Sequence, residues 1–168
     1  REMLGVTAAI VGSGAQRSRF LRGPQRIALA QHGIDYAGWL PNYEAPRVFA
    51  SFKATVHVPR RPYVRMLPGI PTIRPFEALA CGVPLVSAPW DDREELFRAG
   101  HDYLVARNGA EMRTLLAALM RDADLRRHLA RNGLETIRTR HTCAHRVDEL
   151  LSVYDELNAP AYGKAADL

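Results

Sequence analysis

Arg74 and Glu77 stand three residues apart at the start of a short apolar run, Phe76-Glu77-Ala78-Leu79-Ala80-Cys81. Gly82 ends that run, and a buried-strand pattern, Pro84-Leu85-Val86-Ser87-Ala88, follows. On a helix this spacing puts both side chains on one face. A guanidinium there offers a bidentate clamp for phosphate oxygens. A carboxylate there can accept hydrogen bonds from ribose hydroxyls. Pro75 suits the first helical turn, where its missing N–H costs nothing. Thr72 is a candidate N-cap, and with it the helix begins at Ile73. The first-turn N–H groups and the helix dipole then face the preceding loop, a seat for a diphosphate. The competing reading needs no ligand: Glu77 complements the dipole and Arg74 pairs with it.

Other segments carry weaker signals. Gly12-Ser13-Gly14 follows an apolar run, but Arg17 breaks the full G-x-G-x-x-G pattern. The two glycines serve either a turn or a close backbone approach to a ligand. Arg60, Arg61 and Arg65 are loop charges or phosphate partners. His57 sits in an apolar strand with Val56 and Val58 pointing the other way, which favours a buried, hydrogen-bonded histidine. Asp91, Asp92, Glu94 and Glu95 suit a helix N-terminus without a metal. His141 and His145 share a helical face, yet no His-Glu-x-x-His pattern accompanies them, and surface placement is expected. Neither a G-x-S-x-G elbow nor a phosphate loop ending in Gly-Lys-Ser/Thr occurs. No metal is expected.

These groups need a scaffold. The chain has 168 residues, 47% hydrophobic and 24% charged, which is one domain with a core of its own. The net charge of +5 is almost all arginine. Positive charge suits an anionic ligand. The arginines are dispersed and do not alternate with aromatic residues, so nucleic acid is not the expected partner. No apolar run is long enough to span a bilayer. The first residues lack the apolar region of a signal peptide, and the chain reads as a piece of a longer, cytoplasmic protein. Two cysteines make no disulfide framework.

Strand patterns fall at Val6–Val11, Ile34–Leu40, Ala54–Val58, Pro84–Ala88 and Asp102–Ala106. Helical patterns fall near Gln25–Gln31, from Tyr43 with Ala45, Val48, Phe49 and Phe52 inward, at Phe76–Cys81, and at Asp91–Ala99. The stretch from Pro59 to Thr72 reads as a long loop. After Gly109 the pattern turns wholly helical. Met112, Leu115, Leu116, Leu119 and Met120 line one face, and Leu125, Leu129 and Ile137 another. Val147, Leu150, Leu151, Tyr154 and Leu157 mark a last helix, with a fraying tail over 158–168. The alternation predicts an α/β fold: a Rossmann-like, three-layer parallel sheet with terminal helices. Ligands of such sheets bind at the carboxyl ends of the strands.

The run Ile70-Pro71-Thr72-Ile73-Arg74-Pro75-Phe76-Glu77-Ala78-Leu79-Ala80-Cys81-Gly82-Val83-Pro84-Leu85-Val86 resembles the carboxyl-terminal half of GT-B glycosyltransferases of group 1, near the spore-maturation branch. The likeness covers residues 1–157. It extends to the Gly12–Gly14 turn, to Gly38-Trp39-Leu40 with Asn42-Tyr43-Glu44, and to the terminal helices. It implies a domain that holds a nucleotide diphosphate sugar as donor substrate, with a second, amino-terminal domain elsewhere in the protein. Glu77 matches the second glutamate of the family's E-x7-E motif, which binds ribose. The first falls on Gly69, a departure at the sugar-facing position. The resemblance casts Arg74 and Glu77 as the catalytic pair. It puts Gly12, Gly14, Arg60, Arg65, Thr72 and Phe76 with them around the donor. The implied reaction transfers a sugar with retention, and leaving-group charge is met by arginine and helix N–H groups. Rival readings are a sugar-nucleotide epimerase of the same build and a regulatory domain that binds nucleotide without catalysis.

Overall fold

The computed structural model describes residues 8–12, 30–32, 34–59, 61–69 and 72–158. Strands β1 (Ala8–Gly12) and β2 (Ile34–Trp39) pair in parallel, with a register shift between Ile10 and Val11. Strands β3 (Thr55–His57), β4 (Leu85–Ser87) and β5 (Leu104–Val105) form a second parallel set in the order β3-β4-β5. Every strand pairing is parallel, as the alternating pattern predicts, and helices flank the strands. The expected helix near Gln25–Gln31 lies outside the described residues except for its last two.

A 3-10 turn (Asn42–Glu44) leads into helix α1 (Ala45–Ala50). Helix α2 (Arg61–Met66) and helix α3 (Ile73–Ala80) lie between β3 and β4. Helices α4 (Gly109–Arg121), α5 (Ala123–Arg140) and α6 (Cys143–Asn158) are the last of the described elements. Each of α4 and α5 starts where a side chain accepts first-turn N–H groups. Asn108 takes those of Ala110 and Glu111, and Asp122 takes that of Leu125.

The core has two lobes. Ala78, Leu79, Leu85, Phe97, Tyr103 and Ile137 pack together on one side, with Phe49 and Phe76 against them. Val86, Ala106, Leu119 and Leu129 pack on the other, covered by Met112, Leu115, Leu116, Met120 and Leu125. Both helical faces named from the sequence are therefore core faces. The last helix differs: Val147, Leu150, Leu151, Tyr154 and Leu157 are all exposed.

Helix α3 is fixed at both ends. Gly82 adopts φ +64°, and the Gly82 and Val83 N–H groups bond the Leu79 and Ala78 carbonyls at 3.0 and 3.1 Å. That is a Schellman stop, which needs the left-handed residue glycine supplies. Helix α5 crosses α3 at Gly133. A methyl group there would stand 2.6 Å from Leu79 Cδ2 and 3.2 Å from the Asp102 carbonyl oxygen.

Four local expectations are corrected. The Pro59–Thr72 loop contains helix α2, because Pro62 falls in its first turn, where proline starts a helix rather than breaking it. Asp91–Ala99 is not helical. The Asp92 carboxylate accepts the Leu96 and Phe97 N–H groups at 3.0 Å each, in competition with helix bonds, and Glu95 turns to φ 50°. The fifth strand shrinks to Leu104–Val105, with a single bridge from Ala99 to Tyr103. His141 is not a surface residue. It caps α5 half-buried, its ring centroid 5.4 Å from Phe76 and 4.9 Å from Phe97.

Candidate functional site

Helix α3 begins where its sequence says it should. Thr72 is extended, at φ −75° and ψ 171°, and its hydroxyl oxygen accepts the Arg74 N–H. Pro75 has no N–H to satisfy. The Ile73 N–H is then the first-turn donor that neither the cap nor the proline accounts for. It sits at the positive end of the dipole, at the carboxyl-end edge of β3 and β4.

Arg74 and Glu77 meet on the face of this first turn. Arg74 Nη1 lies 3.0 Å from Glu77 Oε2. The contact is a charge contact and not a directed hydrogen bond, because Oε2 is buried with no donor aimed at it. The Arg74 guanidinium also lies over the Phe49 ring, 5.6 Å from its centroid. Phe49 holds it by a cation–π contact while leaving its N–H edges open. The pair is thus a clamp with spare capacity: a carboxylate oxygen without a donor beside a guanidinium held from one side.

His57 supports the edge from below. It is 5% exposed and faces Ser87, its register partner on β4. His57 Nδ1 lies 2.9 Å from Ser87 Oγ, and Nε2 lies 2.9 Å from Thr72 Oγ1. Burial and the nearby Arg74 charge hold its pKa below the ordinary histidine value. The residue expected to be a buried, hydrogen-bonded histidine is that, and it also touches the cap of α3. The sequence held one sign of the link: β3 and β4 each end on a polar residue, His57 and Ser87.

Trp90 packs beside it, 6.1 Å from the His57 ring in an edge arrangement, and stacks on Tyr103 at 4.8 Å. Beyond Trp90 opens a cavity of about 390 Å³, lined by Asp92, Phe97, Arg98 and Tyr103 among others. Burial, then the Asp92 and Asp102 charges, push the Tyr103 hydroxyl up to about 12, so it stays protonated at neutral pH. The sequence reading did not single out Trp90, Tyr103 or Ser87.

The remaining named residues are distributed unevenly. Gly12 ends β1, opposite Trp39. Gly14 and Arg60 lie outside the described residues. Arg65 is exposed on α2, and no described hydrogen bond or ion pair joins it to Arg74 or Glu77. Phe76 turns inward, its ring centroid 4.9 Å from that of Phe97. Asp91 pairs with Arg93 at 2.6 Å, and among the described residues no group of acids, histidines and cysteines converges as a metal site. At Gly69 a methyl group would stand 3.3 Å from the Asp91 carbonyl oxygen.

A parallel α/β half-domain with helices on its strands is the build of a GT-B carboxyl-terminal half. The chain belongs to the glycosyl transferase-like family, whose model matches residues 1–152. Solved structures agree on the fold. Sucrose-phosphate synthase of Thermosynechococcus elongatus matches with a TM-score of 0.68 at 14% identity, over 89% of this chain and 38% of that one. The carboxyl-terminal domain of the group 1 glycosyl transferase LpcC of Francisella tularensis matches at 0.58 and 18%, over 82% of this chain and 70% of that one. HepE of Anabaena, solved with UDP-glucose, matches at 0.65 and 19%, over 88% of this chain and 41% of that one. The chain thus spans about two fifths of the length of the synthase and of HepE. No curated protein matches it in sequence.

Proposed function

We propose that this domain binds the nucleotide diphosphate sugar of a glycosyltransferase that passes the sugar to an acceptor with retention. The observation that carries the reading is the Arg74–Glu77 pair. Its carboxylate oxygen Oε2 is buried without an aligned donor. A buried acceptor left open is costly unless something fills it. Ribose hydroxyls donate to the exposed part of the Glu77 carboxylate, and the diphosphate takes the Arg74 guanidinium and the α3 N-terminus. HepE, of like fold, binds UDP-glucose, which supports the ligand class.

The acceptor and part of the chemistry belong to a second, amino-terminal domain of the parent protein. The exposed apolar face of α6 suits a surface that such a domain covers. The free thiols of Cys81 and Cys143 suit a cytoplasmic setting. Departing groups carry negative charge, and arginine with helix N–H groups meets that charge without a metal.

A second reading, nucleotide binding without transfer, is favoured by Gly69. The sugar-facing glutamate of the family pattern is absent there, and the Asp91 carbonyl crowds the space where a side chain would start.

Calorimetric titration with UDP, GDP and ADP tests the binding step. One nucleotide should bind saturably. Glu77→Ala should weaken it by tenfold or more, since a hydrogen bond to a charged group contributes about 1.5–3 kcal/mol. Arg74→Ala should weaken nucleoside diphosphate but leave the free nucleoside unchanged. Unchanged affinity in both folded variants would remove the pair from the site. Product analysis of the full-length protein then separates transfer from binding alone.

A further inference from the structure

One direction of the hydrogen bonds around His57 satisfies every partner at once. Ser87 Oγ lies 2.7 Å from the Ala88 carbonyl oxygen and 3.5 Å from that of His57; both can only accept, so the serine hydroxyl spends its single proton on a carbonyl, the nearer being Ala88. Ser87 Oγ must then accept from His57 Nδ1, 2.9 Å away. In the neutral ring this leaves Nε2 as a bare acceptor. The Thr72 hydroxyl, 2.9 Å away, donates to it. The Thr72 oxygen keeps its lone pairs for the Arg74 N–H. The chain reads Arg74 N–H to Thr72 to His57 to Ser87 to Ala88, with every proton assigned. Apart from the ring, the contacts around it are neutral: Thr72 from the α3 cap, Ser87 from β4 and Trp90 from the following loop. Arg74 is the one charged group described near it.

We propose that His57 is a positioning residue of the donor site: as the Nδ1–H tautomer it accepts the Thr72 hydroxyl and so fixes the end of α3 that meets the diphosphate. The proposal rests on the nucleotide-sugar reading and adds a residue to it. His57 is buried behind the cap. It acts through the rotamer of Thr72, and Thr72 acts through the backbone that carries Arg74. Strand β3 thereby sets the aim of a helix whose cap lies fifteen residues later in sequence. An Nε2–H ring would instead donate to Thr72 Oγ1, placing a second donor on the oxygen that accepts the Arg74 N–H and leaving the Thr72 hydroxyl proton without its acceptor.

The test combines affinity with a spectroscopic signature. The purified chain and its His57→Leu, Thr72→Val and His57→Gln variants are titrated with UDP, GDP and ADP. His57→Leu and Thr72→Val should each weaken the nucleotide that binds by about fivefold, the scale of a lost N-cap. The double variant should be no weaker than either single one, because the two residues act in series. His57→Gln should restore most of the loss, since its side-chain oxygen can accept from Thr72. Nitrogen-15 spectra of the ring should show the Nδ1–H form at neutral pH. Full affinity in folded His57→Leu, or an Nε2–H ring, overturns the proposal and leaves the donor reading standing. If the unaltered chain binds none of the three nucleotides, the donor reading falls and takes the proposal with it. Should His57→Leu fail to fold, Thr72→Val and the ring spectrum decide.

Discussion

Two polar clusters are buried at the edges of the β3-β4-β5 sheet, and they are finished differently. At the start of β5, the wholly buried Asp102 carboxylate accepts from the Arg98 N–H at 2.9 Å, from Arg98 Nε at 3.3 Å, from Arg98 Nη2 at 2.9 Å and from His101 Nδ1 at 2.9 Å. Arg98 reaches on to Thr136 of α5, and Asn132 of the same helix donates to the His101 carbonyl. Nothing is left over. At the ends of β3 and β4, the His57 chain is satisfied in one line, but the Arg74–Glu77 pair above it keeps an acceptor without a donor. A saturated cluster ties elements together and needs no ligand. An unsaturated one on a rigid frame is held ready for something else. Asp102 therefore serves the architecture, and Glu77 belongs to the proposed site.

The strongest way to break the contrast is Asp102→Ala. It should lower unfolding free energy by about 3 kcal/mol, the upper end for hydrogen bonds to a charged group, while the folded fraction keeps its nucleotide affinity. Chemical denaturation and calorimetry on one preparation check both halves. A loss of affinity as large as the loss of stability would merge the two clusters into one unit. Gly133→Ala comes next. Its methyl group would press on Leu79 and on the Asp102 carbonyl, for a cost of about 1–3 kcal/mol by overpacking, read from the shift in denaturation midpoint.

The smallest effect sharpens the comparison by pH. Burial, then Arg74, keep the His57 pKa below 6.5, so the unfolded chain takes up that proton first. The stability that neutral His57 provides is complete above 6.5 and declines as the pH falls through 6.5 towards the folded value. Burial alone would raise Asp102, but the Arg98 hydrogen bonds and His101 outweigh it and hold the carboxyl below 3.8. Its contribution is complete above 3.8 and is lost only as the pH falls through the folded value. Mild acid should loosen the His57 cluster while Asp102 still holds. Melting temperatures from about pH 7 to about pH 5 should fall slightly, and His57→Gln should flatten that limb. An equal slope in that variant would assign the effect to other groups.

What the sequence made legible was mostly local. Thr72, Pro75 and Gly82 each act on neighbours within a few residues, so both ends of α3 could be placed from residue type. The core faces of α4 and α5 followed from spacing alone. Proline misled at Pro62, because a breaker and a first-turn residue look alike without the strand that precedes them. Asp91–Ala99 misled because acids at a helix start also serve turns, and Asp92 chose two N–H groups of a turn. The contact between Arg74 and Glu77 was legible, since the two share one helix. The support beneath it was not. His57 and Ser87 are thirty residues apart, and only the β3–β4 register makes them partners. The family's paired glutamates drew attention to Gly69, but what crowds it is a carbonyl from the loop after β4.

The place of Trp90 gives the molecule an optical reporter. The sequence has two tryptophans, and Trp39 lies on β2. Trp90 stands edge-on to His57 and face-on to Tyr103. A protonated imidazole quenches a neighbouring indole by accepting an excited electron, and a neutral one does so far less. With Trp39 replaced by phenylalanine, emission from Trp90 alone would follow the charge state of the ring beneath the α3 cap, without any label.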